Sequence, residues 1–328
     1  MEIISSPHTI GVCGIGQIGL SLGLTCWRSG YRVLLYDQDR SKLETAREEI
    51  ERMDGWLTTE FPESKANYGT LECALDLELV DRNADLVLES IREDLEAKVS
   101  VFQRLSGAAS RGAIICSCTS GLSISEMGTR CGYPGQLVGT HFWSPPHLMP
   151  LVEVIGGAGS REEVIQLVMQ FCRSIGKEPV RVNIDVPGFI GNRMLHALWR
   201  EAIYIVERGI ASPEDVDTVA KLTFGLRQAV LGPLEHMDLA GLDLIQAIHR
   251  YLLADLAANH DPSELLKRMV RDGRLGAKSG EGFYNWASRD SRAAIQARDR
   301  QVVRELRRLL KENALGSKGF PQRTETDT

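Results

Sequence analysis

The chain has 328 residues, 43% of them hydrophobic and 25% charged, with a formal net charge of −6. That length predicts about two domains and a sizeable core, and the acidic balance offers no basic field to a phosphate backbone or an anionic membrane, which excludes nucleic acid and membrane as principal partners. Seven cysteines without a Cys-x-x-Cys pair predict reduced thiols and no metal site. The first residues lack the pattern of a signal peptide, and no apolar run reaches the roughly 18 residues of a membrane span, so a cytoplasmic protein is expected.

From Thr9 to Cys118 short apolar runs alternate with helix-like stretches. The runs are Thr9 to Val12, Arg32 to Tyr36, Ala84 to Leu88 and Ala113 to Cys116, and the stretches include Gln17 to Trp27 and Asp94 to Leu105. That rhythm predicts repeated βαβ units and a parallel sheet. Runs at Gln136 to Thr140, Leu151 to Ile155 and Pro179 to Val182 extend it, with a helix over Arg161 to Ile175. The expected fold class is therefore α/β, a Rossmann-type doubly wound sheet over residues 1–186.

After Pro187-Gly188 the texture changes to helical periodicity, with Phe189, Ile190, Met194, Leu195 and Leu198 recurring at spacings of three to four. Pro187 suits the first turn of that helix and Gly209 its end. Ser212-Pro213-Glu-Asp215 marks a second capped start, Asp238 to Ala258 holds further helix, and Asp290 to Asn313 is amphipathic. An all-helical C-terminal domain over 187–314 is expected to carry substrate contacts and dimerisation, followed by a polar, disordered tail over 315–328.

The pattern Gly14-Ile-Gly16-Gln17-Ile18-Gly19 follows the first apolar run and opens a helix. Glycines at 14 and 16 permit a tight turn and close approach to a pyrophosphate, Gly19 permits helix–strand packing, and the helix N-terminus supplies amide donors at Gln17 and Ile18. Asp37, closing the second run near the expected 20-residue offset, suits the ribose hydroxyls and repels a 2′-phosphate. NAD is the expected cofactor.

His141 follows the run Leu137 to Thr140 at the carboxyl end of the sheet, where such folds place ligands. A lone histidine there is more often a packed core residue. Glu153, twelve residues on across a Pro-Pro bend, changes that reading, because a carboxylate on one ring nitrogen fixes the tautomer and leaves the other nitrogen for an alcohol proton.

His141-Phe-Trp-Ser-Pro with Leu151-Val-Glu153-Val, Pro187-Gly-Phe-Ile-Gly-Asn192-Arg, and Lys278-Ser-Gly-Glu-Gly-Phe-Tyr284 resemble the L-3-hydroxyacyl-CoA dehydrogenase family from about Thr9 to Trp286. The resemblance implies His141 as general base or acid, Glu153 as its orienting carboxylate, and Ser120 and Asn192 at the reacting end of the substrate. It also implies Glu93, Lys98 and Ser120 beside the nicotinamide half of NAD, with Lys278 joining them, and a homodimer formed through the helical domain.

Two departures bear on the substrate. Ser144 stands where the family usually has asparagine. Between Ser41 and Val80, where acyl-CoA-using members resemble one another in a lysine-rich insertion, this chain has ten acidic side chains against four basic ones, a surface that repels polyanionic CoA. Pro145-Pro-His147-Leu-Met-Pro150 resembles the branch acting on small non-CoA compounds such as L-gulonate, carnitine and a pyridine-carboxylate aldehyde. The expectation is an NAD-dependent oxidoreductase for a 3-hydroxy acid or related small alcohol, with hydroxyacyl-CoA thioesters as the alternative and a non-catalytic NAD-binding protein a less favoured one. Arg193, Arg200, Arg227 and His147 are candidates to bind a free carboxylate.

Overall fold

The computed structural model describes residues 3–62 and 66–311; the expected tail over 315–328 lies outside them. The chain divides into two compact units, Arg193–Ala297 forming the second, and the described residues on either side of it the first.

In the first unit eight strands, β1 Thr9–Cys13, β2 Arg32–Tyr36, β3 Thr70–Ala74, β4 Leu86–Glu89, β5 Ile114–Ser117, β6 Leu137–Phe142, β7 Leu151–Gly156 and β8 Glu178–Val182, make one sheet. Their order is β3-β2-β1-β4-β5-β6-β7-β8. All neighbours are parallel except β6 and β7. The central strands are buried along their whole length, as a sheet with helices on both faces requires. One face packs on α1 (Gln17–Arg28), α2 (Arg40–Glu60) and α7 (Glu162–Ser174), and the other on α3 (Leu77–Asn83), α4 (Leu95–Arg104), α5 (Ser106–Ser110) and α6 (Ile124–Cys131).

Strand β3 is not anticipated by the sequence reading. Of its five residues at the sheet's edge, Thr70 and Glu72 are exposed, Cys73 is half-buried and only Leu71 and Ala74 are buried, so it lacks the continuous apolar run of the inner strands.

The second unit is helical: α8 (Gly191–Glu207) leads into it, and α9 (Pro213–Leu222), α10 (Phe224–Arg227), α11 (Pro233–Ala240), α12 (Leu242–Leu252) and α13 (Glu264–Arg271) follow. Ser212 caps α9 by accepting from the Asp215 amide at 3.1 Å, as its place before Pro213 predicts. The stretch expected as helix from Asp238 to Ala258 is broken at Gly241, whose φ of +98° lies in the region glycine tolerates. The last helix, α14 (Ser291–Lys311), puts Val303 and Leu306 into the core of the first unit. No helix among the described residues is long and apolar enough to cross a membrane.

Candidate active site

The strand order lines up the chemistry along the carboxyl edge of the sheet. Asp37 follows β2, Gly14 follows β1, Glu89 ends β4, Ser117 ends β5, and His141 sits near the end of β6. Neighbouring strands are about 4.8 Å apart, so the glycine turn and the histidine are separated by roughly three strand spacings, about 14 Å.

Gly14 takes φ +88°, and a Cβ there would stand 2.7 Å from the Ile91 amide nitrogen. A Cβ on Gly19 would come 1.9 Å from the Gly14 carbonyl oxygen, while Gly16 has open space around it. The turn thus closes tightly and leaves the start of α1 bare, with no side chain capping its amides, as an anion-binding helix terminus needs. Beside it lies a cavity of about 640 Å³ lined by Gly14, Gly16, Asp37, Lys42, Arg92 and Arg104 among others. Asp37 is buried; Oδ2 accepts from the Ile15 amide at 3.0 Å and Lys42 Nζ at 3.3 Å, and Oδ1 from the Asp39 amide at 2.9 Å. The cleft fits a dinucleotide: a cradle that side chains would fill, with a fixed carboxylate at one end.

Further along the edge is a buried ion cluster. Lys98, almost fully enclosed, donates to Glu89 Oε1 at 2.7 Å and stands 3.4 Å from Glu93 Oε2. Glu89 also accepts from Ser117 Oγ at 2.8 Å and from the Ile91 amide at 2.8 Å. Burial pushes its carboxyl up, and Lys98 opposes that shift. Glu93 Oε1 accepts from Thr119 Oγ1 and from the Ser120 amide, and the Ser120 carbonyl accepts from Asn192 Nδ2 at 3.1 Å. Glu93, Lys98, Ser120 and Asn192 are therefore linked in one network. The sequence reading passes over its middle members Glu89, Ser117 and Thr119; the one signal available was a carboxylate closing the wholly apolar run Leu86-Val-Leu88.

His141 and Glu153 are paired across β6 and β7, with His141 Nδ1 at 2.7 Å from Glu153 Oε2. The other carboxylate oxygen accepts from the amides of Ile190 at 2.8 Å and Gly191 at 2.9 Å. The turn before α8 presents both amides by way of Gly188 at φ +76° and Phe189 at φ +49°. Burial raises the Glu153 carboxyl, but hydrogen bonds from His141, Gly191 and Ile190 outweigh it and hold the group below its ordinary range. An ionised Glu153 requires the proton on Nδ1, leaving the Nε2 lone pair as acceptor. Trp143 and Phe189 flank the imidazole, ring centres 5.3 and 5.8 Å away.

Of the remaining residues singled out from sequence, Lys278 lies in a short turn of the second unit, Ala277–Ser279, as do Arg193, Arg200 and Arg227 in its helices. His147 is engaged elsewhere in the first unit: Nδ1 is 2.9 Å from Ser21 Oγ and the ring meets Trp56 edge-on. Burial, with Lys177 nearby, lowers it to about 4, so it is neutral near pH 7. No group of His, Cys, Asp and Glu suited to a metal occurs among the described residues.

A doubly wound sheet with a bare glycine turn, an acidic residue after β2 and a carboxylate-paired histidine at the same edge defines an NAD-dependent dehydrogenase acting on CH–OH groups. Residues 9–186 match the family model of the 3-hydroxyacyl-CoA dehydrogenase NAD binding domain, and 188–286 that of the 3-hydroxyacyl-CoA dehydrogenase C-terminal domain. The chain belongs to this family.

It is 34% identical over 306 residues to 5-formyl-3-hydroxy-2-methylpyridine 4-carboxylate 5-dehydrogenase of Mesorhizobium japonicum, covering 92% of this chain and 98% of the relative. It is 37% identical over 282 residues to a probable 3-hydroxybutyryl-CoA dehydrogenase of Deinococcus radiodurans, covering 84% and 99%. Among solved structures, the 5-formyl-3-hydroxy-2-methylpyridine 4-carboxylic acid 5-dehydrogenase, described as an NAD+ dependent dismutase, superposes with a TM-score of 0.87 at 32% identity over 93% of this chain and 99% of that one. FadB2 of M. tuberculosis gives 0.69 at 29% identity over 85% and 99%.

Proposed function

We propose that the chain oxidises a small hydroxy acid or related alcohol that carries no CoA, with His141 as the general base, and that it reduces the corresponding carbonyl in the reverse direction. The observation carrying this reading is the His141–Glu153 pair, one ring nitrogen fixed and the other available, at the sheet edge that holds the glycine turn. When bound, NAD supplies the hydride acceptor. His141 Nε2 takes the hydroxyl proton, and Glu153 stabilises the imidazolium that forms, itself held ionised by two amides at the start of α8. Ser120 and Asn192, already joined, orient the oxygen of the reacting carbon. Gly14, Gly16, Gln17, Ile18 and Gly19 hold the pyrophosphate and Asp37 the adenosine ribose, while Glu93 and Lys98 serve the nicotinamide half.

The absence of CoA is supported by the acids of α2, among them Glu44, Glu48, Glu49 and Glu51, and by the higher superposition score with a pyridine-carboxylate dehydrogenase than with FadB2. The 37% identity to a probable 3-hydroxybutyryl-CoA dehydrogenase supports the alternative, a CoA thioester. Steady-state assays with NADH and acetoacetyl-CoA, beside a panel of free 3-oxo acids and aldehydes and, with NAD+, hydroxy acids including gulonate and carnitine, separate the two. Turnover confined to free compounds is expected; efficient use of acetoacetyl-CoA overturns the non-CoA reading.

A homodimer formed through the second unit is part of the same reading. Leu222, Leu226, Leu234, Leu239, Leu242 and Tyr251 are each 60% or more exposed, and α8 to α12 contain no buried residue. Such apolar area is characteristic of a subunit interface. Sedimentation at micromolar concentration should give twice the chain mass, and a monomer alone would exclude the dimer. The free thiols, four of seven buried, suit a reducing cytoplasmic setting.

A further inference from the structure

We infer that the ion cluster Glu89–Lys98–Glu93 shifts the site's cofactor affinity ratio toward the oxidised form, with Glu93 as the residue that sets the shift. This rests on the reading above, in which the nicotinamide half lies over the ends of β4 and β5. The sheet order supports that placement: β4 and β5 stand between β1, with its glycine turn, and β6, with His141. A cofactor held at the first and reacting beside the second has to cross the strand ends that carry Glu93 and Ser120.

The charges there do not cancel. Glu89 and Lys98 are both enclosed, 1% exposed or less, and only 2.7 Å apart, so each neutralises the other. Glu93 approaches the same ammonium at 3.4 Å, and its side chain is 44% exposed. Two carboxylates and one ammonium leave one net negative charge, and Glu93 is the member that faces outward. The nearest basic neighbour in sequence, Arg92, lines the cavity that also holds Asp37, toward the adenosine end. Lys98 is thus a fixed support rather than a free cation: it ties Glu89, the Ile91 carbonyl (3.4 Å) and Glu93 together.

The oxidised nicotinamide ring carries a unit positive charge and the reduced ring none. A fixed net negative charge beside it stabilises only the oxidised form. At a separation of several ångströms and an effective dielectric constant of about 20 to 40, one such charge changes the affinity ratio by about tenfold. The chemical consequence is longer retention of NAD+, unchanged release of NADH, and an on-enzyme equilibrium drawn toward NAD+ and the alcohol.

The test is to measure dissociation constants for NAD+ and NADH separately by calorimetry, on the full chain, in three proteins. Glu93→Gln removes the charge while the amide oxygen still accepts from Thr119 and Ser120. The control Glu96→Gln removes one carboxylate from α4, the helix that carries Lys98, outside the cluster and paired with exposed Arg130. In Glu93→Gln the ratio Kd(NAD+)/Kd(NADH) should rise by about tenfold, chiefly through weaker NAD+ binding, while in Glu96→Gln it stays within about twofold of wild type. An unchanged ratio in Glu93→Gln, with both forms still bound, overturns the inference and leaves the cofactor site standing. An equal shift in Glu96→Gln overturns it by showing that loss of any carboxylate near the start of this helix, not the charge at Glu93, sets the ratio. Failure of the unaltered protein to bind either form overturns the cofactor reading itself.

Discussion

His141 and Glu153 face each other directly across the one antiparallel step of the sheet, β6 to β7. Opposed residues on antiparallel strands project to the same face with their Cβ atoms about 5 Å apart, so the backbone register alone brings an imidazole and a carboxylate to hydrogen-bonding distance. The chain achieves this by reversing direction through Ser144 to Pro150. Lys177 fixes that segment from below, its buried ammonium donating to the carbonyls of Pro146 and Met149.

Glu153→Gln should keep the side-chain shape while freeing the imidazole from its carboxylate. Turnover is expected to fall by about 10²- to 10⁴-fold, the usual contribution of a positioned acid–base group, with little change in cofactor affinity. The stability of the fold also depends on this group. Its folded pKa lies below the ordinary 4.5, so its contribution is complete above that pH and disappears as pH falls through the lower folded value. Chemical denaturation below pH 4.5 should therefore show a steeper acid loss in wild type than in the variant.

Gly19→Ala should cost more than tenfold in NAD affinity. The added methyl would stand 1.9 Å from the Gly14 carbonyl oxygen, so the pyrophosphate turn has to open. Calorimetric titration reads the loss, and wild-type affinity in this variant would show that the turn does not hold the cofactor.

Asp37→Ala should weaken NAD by about tenfold, as expected for loss of a charge-assisted hydrogen bond, and relax discrimination against NADP. Lys42, 3.3 Å from the same carboxylate, offsets part of its repulsion of a 2′-phosphate. Lys42→Ala should accordingly sharpen the preference for NAD. Comparison of kcat/KM for the two cofactors reads both effects, and an identical NADP-to-NAD ratio in all three proteins would remove Asp37 from the ribose.

His147 predicts a separate acid sensitivity. Its folded pKa of about 4 against an ordinary 6.5 means that the folded chain holds the neutral ring while the unfolded chain protonates first. The stability from this group is whole above pH 6.5 and is lost progressively as pH falls to about 4, roughly 3 kcal/mol in all. In His147→Gln, melting temperatures measured between pH 7 and 4 should decline less; parallel curves would contradict this.

Much of the fold and of the arrangement at the sheet edge is legible in the sequence. The glycine spacing, Asp37 and the His141–Glu153 pair follow from local rules: a turn that needs small residues, a strand end, and two strands joined by a Pro-Pro bend. The inner strands announce themselves by continuous apolar runs. What escaped the sequence depends on contacts between distant segments. Glu89 meets Lys98 only because β4 and the helix after it fold back on each other, and Ser117 and Thr119 reach this cluster from β5. Strand β3 was hidden because it lies at the sheet's edge and buries only Leu71 and Ala74 of its five residues. His147, read as a candidate carboxylate ligand, finds its partner in Ser21, 126 positions away.

The most direct test of the proposed chemistry is His141→Gln, followed in two measurements on the same protein: NAD affinity by calorimetry and single-turnover hydride transfer with a substrate found in the panel. Affinity should stay within about twofold of wild type while hydride transfer falls by about 10³-fold or more. Hydride transfer at the wild-type rate in this variant would show that another group removes the proton and would remove His141 from the reaction.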